Sequence, residues 1–162
     1  MNRLFTFLAA ALIFCVGNQT KLKAETMDKE IKSVQDWDKT FPKSGKVNHE
    51  KVTFKTQYGL TLAADLYIPK NAEGKLPAIA VSGPFGAVKE QCSGLYAQTM
   101  AERGFITIAF DPSFTGESSG EPRRTASPDI NTEDFLAAVD YLSMRDDVDA
   151  GRIAIIGICG WG

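Results

Sequence analysis

The sequence predicts an α/β protein in which an antiparallel strand pair leads into a mostly parallel sheet with helices on both faces. Two observations predict this class. Between positions 47 and 69, apolar residues recur at a spacing of two, as they do in half-buried strands. From position 77 onward, three short apolar runs alternate with two stretches of helical period, which is typical of crossover connections between parallel strands.

The N-terminus has the pattern of a secretory signal peptide. Asn2 and Arg3 form a short basic start, Leu4 to Val16 is uncharged and apolar, and polar residues follow. The apolar run is too short for a spanning helix, which needs roughly 20 residues. We therefore expect residues 1–24 to be a cleaved leader and the protein to be exported, to the periplasm or beyond the cell. An uncleaved anchor remains an alternative.

The folded part is predicted to begin after a polar connector. Residues 25–46 are polar and charged, with only scattered aromatic side chains. The alternating pattern then predicts two strands around a turn at Tyr58-Gly59, and Pro69 ends the second strand.

Three apolar runs follow the strand pair, and each predicts a buried strand: Pro77 to Ser82, Phe105 to Phe110 and Arg152 to Ile158. The first helix is predicted between about Glu90 and Arg103, and we expect its apolar face to comprise Leu95, Met100 and Ala101. The second helix is predicted to start at an Asn131 cap, with an apolar face of Phe135, Ala138, Val139 and Leu142.

Composition and charge exclude several classes of function. With 18 basic and 20 acidic side chains the net charge is −2, which gives no sign of a nucleic-acid partner or of a stable membrane partner. Without its leader the chain contains two cysteines, Cys92 and Cys159, too few for a disulfide framework. Neither lies in a CxxC pair, which argues against a redox motif. Nothing in the sequence indicates the oligomeric state.

The third apolar run ends in Gly157-Ile158-Cys159-Gly160, a pattern suited to a nucleophile on a sharp strand-to-turn bend. Such a bend needs small neighbours, which Gly157 and Gly160 provide. The amide of Gly160 would then face the reacting carbonyl, and the amide of Phe85, in the glycine-flanked stretch GPFG, is the second predicted oxyanion donor. The alternative for Cys159 is a buried structural cysteine.

Four stretches resemble the α/β-hydrolase superfamily, and more closely its exported dienelactone-hydrolase-like and Xaa-Pro-dipeptidyl-peptidase-like members. They are LAADLYIP, GPFGAVKEQCSGLYAQTMAERGF, AFDPSFTGESSGEPR and RIAIIGICGWG, which lie within residues 47–162. The resemblance implies that Cys159 stands at the nucleophile elbow. The chain departs from the simple elbow pattern at Trp161, where that pattern has glycine, so the small position would move to Gly162.

The resemblance also gives an expectation for the charged residues of these stretches. It implies that Asp111 organises the loop after its strand, although Asp111 and Glu117 could also form a catalytic acid pair. From its position in the sequence, the segment Lys89-Glu90-Gln91 is interpreted as a charged helix N-terminus, with a supporting hydrogen-bond role near the predicted oxyanion loop as the alternative. Cys92, inside the predicted helix, is interpreted as a packing residue. No metal or organic cofactor is implied.

The elbow needs a histidine base and an orienting acid, and in this superfamily both follow the nucleophile. The one histidine, His49, precedes the first predicted strand and is not expected to be the base. We therefore expect residues 47–162 to be an incomplete α/β-hydrolase domain of an enzyme that acts on a small-molecule ester, lactone or related acyl bond, and this chain alone to be inactive. The alternative is a truncated or degenerate domain with a binding role.

Overall fold

The computed structural model describes residues 37–162. The predicted signal peptide and the first part of the predicted polar connector lie outside the described residues.

The described residues form five strands and two α-helices. The N-terminal strands and helix are β1 (Val47–Lys55), β2 (Thr61–Pro69), β3 (Leu76–Ser82) and α1 (Cys92–Ala101). They are followed by β4 (Ile106–Phe110), α2 (Pro128–Ser143), β5 (Val148–Gly157) and a short 3-10 turn, Cys159–Trp161. Each strand and helix predicted from the apolar pattern within residues 47–162 is present.

The strands form one mixed sheet in the order β1-β2-β4-β3-β5. The pair β1 and β2 is antiparallel, with Val47 opposite Pro69 and Lys55 opposite Thr61. Strand β2 is also antiparallel to β4, whereas β3 runs parallel to both β4 and β5. The predicted α/β class, with a strand pair leading into a parallel sheet, is confirmed.

A helix covers each face of the sheet. On one face Phe135, Ala138 and Leu142 of α2 pack with Leu66 and Ile108 of the sheet. On the other face the buried residues come from α1, the strands and the segment before β1: Ala97, Ala101, Phe41, Tyr67, Ile79, Val81 and Ala109. This two-sided cover is the layer arrangement that parallel strands require.

The buried face of α1 matches the predicted one only in part, since Ala101 is buried and Met100 packs against the core, whereas Leu95 does not. Leu95 is exposed, and the buried positions are Ser93, Gly94, Ala97, Gln98 and Ala101. The reason is a close approach of the helix to β4, where the Thr107 hydroxyl donates to the Ala97 carbonyl at 2.8 Å. Four of the five buried residues on this face are accordingly small, and Leu95 lies on the exposed side of the helix.

The start of α2 also differs. Asn131 was expected to cap the helix, but the helix begins at Pro128 and Ser127 occupies the cap position. The Asn131 side chain instead accepts a hydrogen bond from the Ser127 amide at 3.0 Å from inside the first turns. Proline at the first helical position lacks an amide that would need a partner, which explains the earlier start.

Residues 37–46 pack against the sheet ahead of β1. Phe41 is buried, and the Thr40 amide donates to the Glu90 carbonyl at 3.0 Å. The Gln98 side chain on α1 binds the same segment twice, at the Ser44 amide and the Pro42 carbonyl. In the range 37–162 no helix is both long enough and apolar enough to cross a membrane.

Candidate active site

A sharp bend follows β5 at Cys159. The Ile158 amide still donates to the Ser82 carbonyl at 3.1 Å, so the parallel ladder continues to this residue. Cys159 then has a φ of +62°, a left-handed conformation that non-glycine residues seldom adopt. Its side chain is exposed, at the carboxyl end of the strand. This is the kind of backbone that presents a side chain above a sheet edge.

Small residues make room for this bend. A Cβ at Gly157 would overlap the Trp161 carbonyl, and one at Gly160 would overlap the Phe85 ring. At Gly162 the nearest atom would be the Gly157 oxygen at 3.3 Å, a milder restriction. The two glycines singled out from the sequence therefore stand where side chains do not fit.

The loop after β3 lies directly against the bend. A Cβ on Gly83 would lie 2.5 Å from the Ile158 oxygen and 2.5 Å from Cδ1 of Trp161. The rings of Phe85 and Trp161 pack with centroids 4.8 Å apart. Within residues 37–162 the amides of Phe85 and Gly160 make no hydrogen bond. The structure thus brings together the three segments that carry Phe85, Cys159 and Gly160.

Cys92 lies beside the same loop. Its thiol donates to the Gly83 carbonyl at 3.6 Å, from the first turn of α1. It is half-buried, and both Cys92 and Cys159 are free thiols. Cys92 therefore acts as a packing residue that supports the loop, as its place in the helix suggested.

Asp111 fixes the loop that follows β4. Its carboxylate is buried and accepts hydrogen bonds from the amides of Lys89, at 2.7 Å, and Glu117, at 2.9 Å. Its own carbonyl accepts from the Ser118 hydroxyl at 2.7 Å. Asp111 thus organises two loops at once, which agrees with the role that the family resemblance implied.

Lys89 has a different place from the one predicted. It is buried, and its ammonium contacts Glu90 at 2.5 Å, Glu117 at 2.7 Å and Asp111 at 3.0 Å. Burial opposes the charge, but Asp111 and the hydrogen bond to Glu117 raise the pKa of Lys89 above its ordinary value. The interpretation as a charged helix N-terminus is wrong for Lys89, because α1 starts at Cys92 and the side chain points into the protein.

The three carboxylates around Lys89 also have the spacing of a metal site. Ligand oxygens of Glu90, Asp111 and Glu117 lie within 4.8 Å of one another. The Lys89 ammonium contacts all three, so it already supplies a cation at this position. We therefore assign the cluster to the ion-pair network rather than to a metal.

The ion pairs continue from Lys89 across the sheet. Lys51 contacts Glu117 at 3.4 Å and Asp38 at 3.0 Å, and Lys39 joins Asp38 to Asp65, which it contacts at 3.0 Å. Burial would raise the pKa of Asp38, but hydrogen bonds from Lys39 and Lys51 lower it to about 2. One continuous set of charges thus connects β1 with the loop after β3.

His49 stands at the far end of this network. It lies inside β1, so the expectation that it precedes the first strand is wrong; the alternating pattern gave no residue-level boundary there. Its Nε2 lies 2.7 Å from Oδ1 of Asp65. Four strand spacings of about 4.8 Å separate β1 from β5, roughly 19 Å. His49 is therefore too distant to act as a base for Cys159.

A cavity of about 630 Å³ opens beside the bend. Its walls come from the loops after β3 and β4, from the segment before α2 and from the bend itself: Phe85, Gly86, Val88, Pro112, Phe114, Thr115, Gly116, Arg123, Arg124, Thr125, Ala126 and Trp161. For most of these residues the sequence predicted no functional role. The available signal was the glycine- and proline-rich composition of residues 111–128, which indicates a loop but not its shape.

Relatives of known sequence are longer than this chain. An uncharacterized protein of Pseudomonas aeruginosa, PA2218, is 63% identical over 96% of the chain, which spans 44% of that protein. Thiohydrolase aneE of Aspergillus aculeatus is 34% identical over 68% of the chain, which spans 34% of that protein. The chain thus spans less than half of the length of either relative.

Solved structures show the same fold. The crystal structure of PA2218 superposes with a TM-score of 0.80, at 67% identity, over 83% of this chain and 42% of that one. The α/β hydrolase GrgF from Penicillium sp. sh18 superposes with a TM-score of 0.65, at 29% identity, over 70% of this chain and 38% of that one. The dienelactone hydrolase-like phosphotriesterase P91, from metagenomic libraries, superposes with a TM-score of 0.54, at 20% identity, over 72% of this chain and 51% of that one. This is a likeness of fold alone.

These likenesses agree with the order of strands, helices and glycine-rich loops described above. The fold is that of the α/β hydrolases, present in part. The model of the family described as X-Pro dipeptidyl-peptidase (S15 family) matches residues 59–160, which include the loop after β3, the Asp111 loop and the bend at Cys159. The chain belongs to this family of α/β hydrolases.

Proposed function

We propose that the protein is an exported hydrolase of small-molecule acyl compounds in which Cys159 is the nucleophile. The observation that carries this proposal is the left-handed backbone of Cys159, with an exposed side chain at the carboxyl end of β5. Strained non-glycine residues of this kind concentrate at functional sites, where the surrounding structure holds them in place.

The chemistry follows from the groups around the bend. The Cys159 sulfur attacks the acyl carbonyl, a carbon–sulfur bond forms, and the amides of Phe85 and Gly160 hold the negative oxygen. A general base takes the thiol proton as the sulfur attacks, and returns it to the leaving alcohol or thiol when the bond between that group and the acyl carbon breaks. Water, deprotonated by the same group, then attacks the acyl-enzyme, releases the acid product and restores the thiol.

This cycle needs a base near Cys159, and His49 is remote from it. Because this chain spans less than half of the length of the relatives named above, we place the histidine and its orienting acid outside these 162 residues. Because a thiolate is a much better nucleophile than a thiol, the cycle depends on a base that removes the Cys159 proton.

The substrate bond is proposed to be an ester, a lactone or a thioester. The name of thiohydrolase aneE supports acyl cleavage by a relative of this chain, and the hydrolase family supports it more generally. A role in binding alone is not favoured by these comparisons. It would leave the strained Cys159 backbone without a purpose.

The test uses the full-length protein, meaning this chain with any further sequence that its gene encodes. We would measure kcat/KM for p-nitrophenyl acetate in the wild type, in Cys159→Ala and in the matched control Cys92→Ala. We expect Cys159→Ala to lose about 10³-fold or more, whereas Cys92→Ala, which removes only a weak thiol contact to the Gly83 carbonyl, should lose far less. Steady turnover by Cys159→Ala at the wild-type rate would refute the nucleophile.

The placement of the base has its own test. The 162-residue chain alone should release at most one equivalent of p-nitrophenol, through acylation of Cys159. Continuing turnover that Cys159→Ala abolishes would show that the base lies within this chain.

A further inference from the structure

Three strained residues lie around one cavity. In the described part of the chain, the non-glycine residues with left-handed backbone are Phe114 (φ 70°), Arg124 (φ 63°) and Cys159 (φ 62°). Phe114 and Arg124 line the cavity, and Cys159 stands two residues before Trp161, which also lines it. Because such conformations cost free energy, their concentration in two segments, the loop between β4 and α2 and the bend after β5, points to a shared binding site.

The walls of this cavity suit an apolar or aromatic group. Phe85 packs on Trp161, and Phe114 belongs to a firmly held loop. In that loop the Ser113 amide and hydroxyl donate to the buried Asp134 carboxylate at 2.9 and 2.6 Å. The volume of about 630 Å³ falls within the range of small-molecule sites, about 300–1,000 Å³.

The two arginines of the cavity have different partners. The Arg123 guanidinium donates to the carbonyls of Gly116 at 2.7 Å, Ser118 at 2.5 Å and Gly120 at 3.2 Å, so it holds the loop. The Arg124 amide donates to the Phe114 carbonyl at 2.8 Å, which fixes its backbone. Among residues 37–162 the Arg124 guanidinium makes no hydrogen bond or ion pair.

The charge of the cavity favours an anion. Its lining contains two arginines and no aspartate or glutamate. Of the acidic residues in the loop between β4 and α2, Asp111 and Glu117 are paired with Lys89, and the Glu121 carboxylate accepts a hydrogen bond from the Arg123 amide at 3.1 Å. A planar guanidinium with five donors matches the oxygens of a carboxylate or a phosphate, and an apolar wall that excludes water strengthens such a contact.

We propose that Arg124 recognises an anionic carboxylate or phosphate group on the substrate, while the aromatic walls hold the adjoining carbon skeleton. The inference rests on the proposed function, because it assigns this cavity to the substrate that Cys159 attacks. Arg124 is thus a specificity-determining residue, and the substrate class narrows to acyl compounds that carry a negative charge.

The experiment measures binding and needs no turnover. It uses the full-length protein with Cys159→Ala and titration calorimetry in about 50 mM salt. The probes are 3-phenylpropionate, 2-phenylethyl phosphate and the neutral 3-phenylpropionamide. We expect at least one anion to bind about 10-fold or more tightly than the amide, as charge-assisted hydrogen bonds allow; which anion binds more tightly tells carboxylate from phosphate.

Variants then assign the effect. Arg124→Gln should reduce the ratio of anion affinity to amide affinity to about one, and Arg124→Lys should keep part of this preference for the anion. Arg123→Lys is the matched control, which should lower Tm through the loop but leave the ratio unchanged. Equal affinities of wild type for the amide and both anions, or a ratio that survives in Arg124→Gln, would overturn the proposal. Absence of saturable binding by all three probes would overturn it as well.

The two proposals fail separately. If Cys159→Ala keeps esterase turnover, the nucleophile is wrong, whereas the binding ratios still report on Arg124. If the anions and the amide bind with equal affinity while Cys159→Ala is inactive, Cys159 is still supported as the nucleophile and the anion site is wrong.

Discussion

Asp111 binds Lys89 twice, with one carboxylate oxygen on the amide at 2.7 Å and the other on the ammonium at 3.0 Å. The Asp111–Lys89 ion pair joins the loop after β3, which carries Phe85, to the loop after β4. Both side chains are fully buried. The position of the proposed oxyanion loop therefore depends on an ion pair that lies beneath it.

We expect Asp111→Asn to destabilise the full-length protein by about 1–3 kcal/mol, since the Lys89 ammonium and two backbone amides lose a charged acceptor while Glu90 and Glu117 still pair with Lys89. Urea unfolding monitored by circular dichroism measures the change. Asp149→Asn is the control, because that carboxylate is exposed and pairs with Arg152 at the surface; its midpoint should match the wild type. Equal midpoints for both variants would show that the buried pair contributes little.

A second prediction uses two glycines with similar backbone and different surroundings. Gly83 (φ +100°) and Gly86 (φ +80°) lie in the same loop, but only Gly83 has neighbours in the way of a Cβ. Both alanine variants incur the left-handed penalty of about 1–2 kcal/mol. Gly83→Ala must also displace Ile158 or Trp161, so we expect it to lose about 1–3 kcal/mol more.

Thermal or urea unfolding of the two variants, each in the full-length protein, gives this difference directly. Esterase activity should fall more in Gly83→Ala than in Gly86→Ala, since the displaced residues flank Cys159. Indistinguishable stabilities would contradict the close contact between the loop and the bend.

The third prediction concerns acid. The pKa of Asp38 is lowered from 3.8 to about 2 in the folded protein, so its ion pairs stabilise the fold above pH 3.8. That contribution is lost as pH falls toward 2. We expect Tm to drop less between pH 5 and pH 2.5 in Asp38→Asn than in the wild type. Asp129→Asn, an exposed change in the first turn of α2, is the control and should show the same fall in Tm with pH as the wild type. If Tm of Asp38→Asn also falls with pH as steeply as that of the wild type, the role of the Asp38 ion pairs is refuted.

The fourth prediction concerns the edge of the sheet. In the described sheet β5 is an edge strand, and Ile155 on it is 51% exposed. Apolar edge strands pair with other chains. We expect the 162-residue chain, produced without residues 1–24, to elute as associated species that Ile155→Lys reduces.

Size-exclusion chromatography with light scattering at several concentrations tests this. Leu136→Lys on α2 removes a side chain of similar exposure, 52%, away from the strand edge and should leave association unchanged. A wild-type chain that is monomeric at all concentrations would show that the edge is protected.

The fifth prediction concerns export. If residues 1–24 are a leader, mass spectrometry of the full-length product from a bacterium should find a new N-terminus between Asn18 and Glu25. An intact Met1 on membrane-bound protein would instead support an anchor.

The strands and helices were predictable because their signal is local. Alternation around Tyr58-Gly59 and the apolar runs that became β3, β4 and β5 depend on side chains a few residues apart. Leu95 shows the limit of that signal. Whether a leucine or an alanine faces the sheet depended on how closely α1 approaches β4, which is a tertiary contact.

The candidate site was also predictable only where its signal is local in the sequence. Cys159 and its glycines were visible as a short motif, but the burial of Lys89 was not, because its partners Asp111 and Glu117 lie 22 and 28 positions away. The cavity was also beyond sequence reasoning, since the irregular loop before α2 has no period from which to infer its path. Arg123 and Arg124 are adjacent in sequence and identical in type, and only the fold distinguishes them.

The ion pairs that run from His49 to Lys89 share their partners, and this makes their contributions non-additive. Removing Lys51, for example, alters the surroundings of Asp38 and Glu117 together. Interaction energies between such neighbours are about 0.5–3 kcal/mol in double-mutant cycles. Substitutions here are therefore expected to be tolerated in compensating sets, so that a homologue that replaces Lys89 with a neutral residue should also have lost one of the carboxylates that surround it.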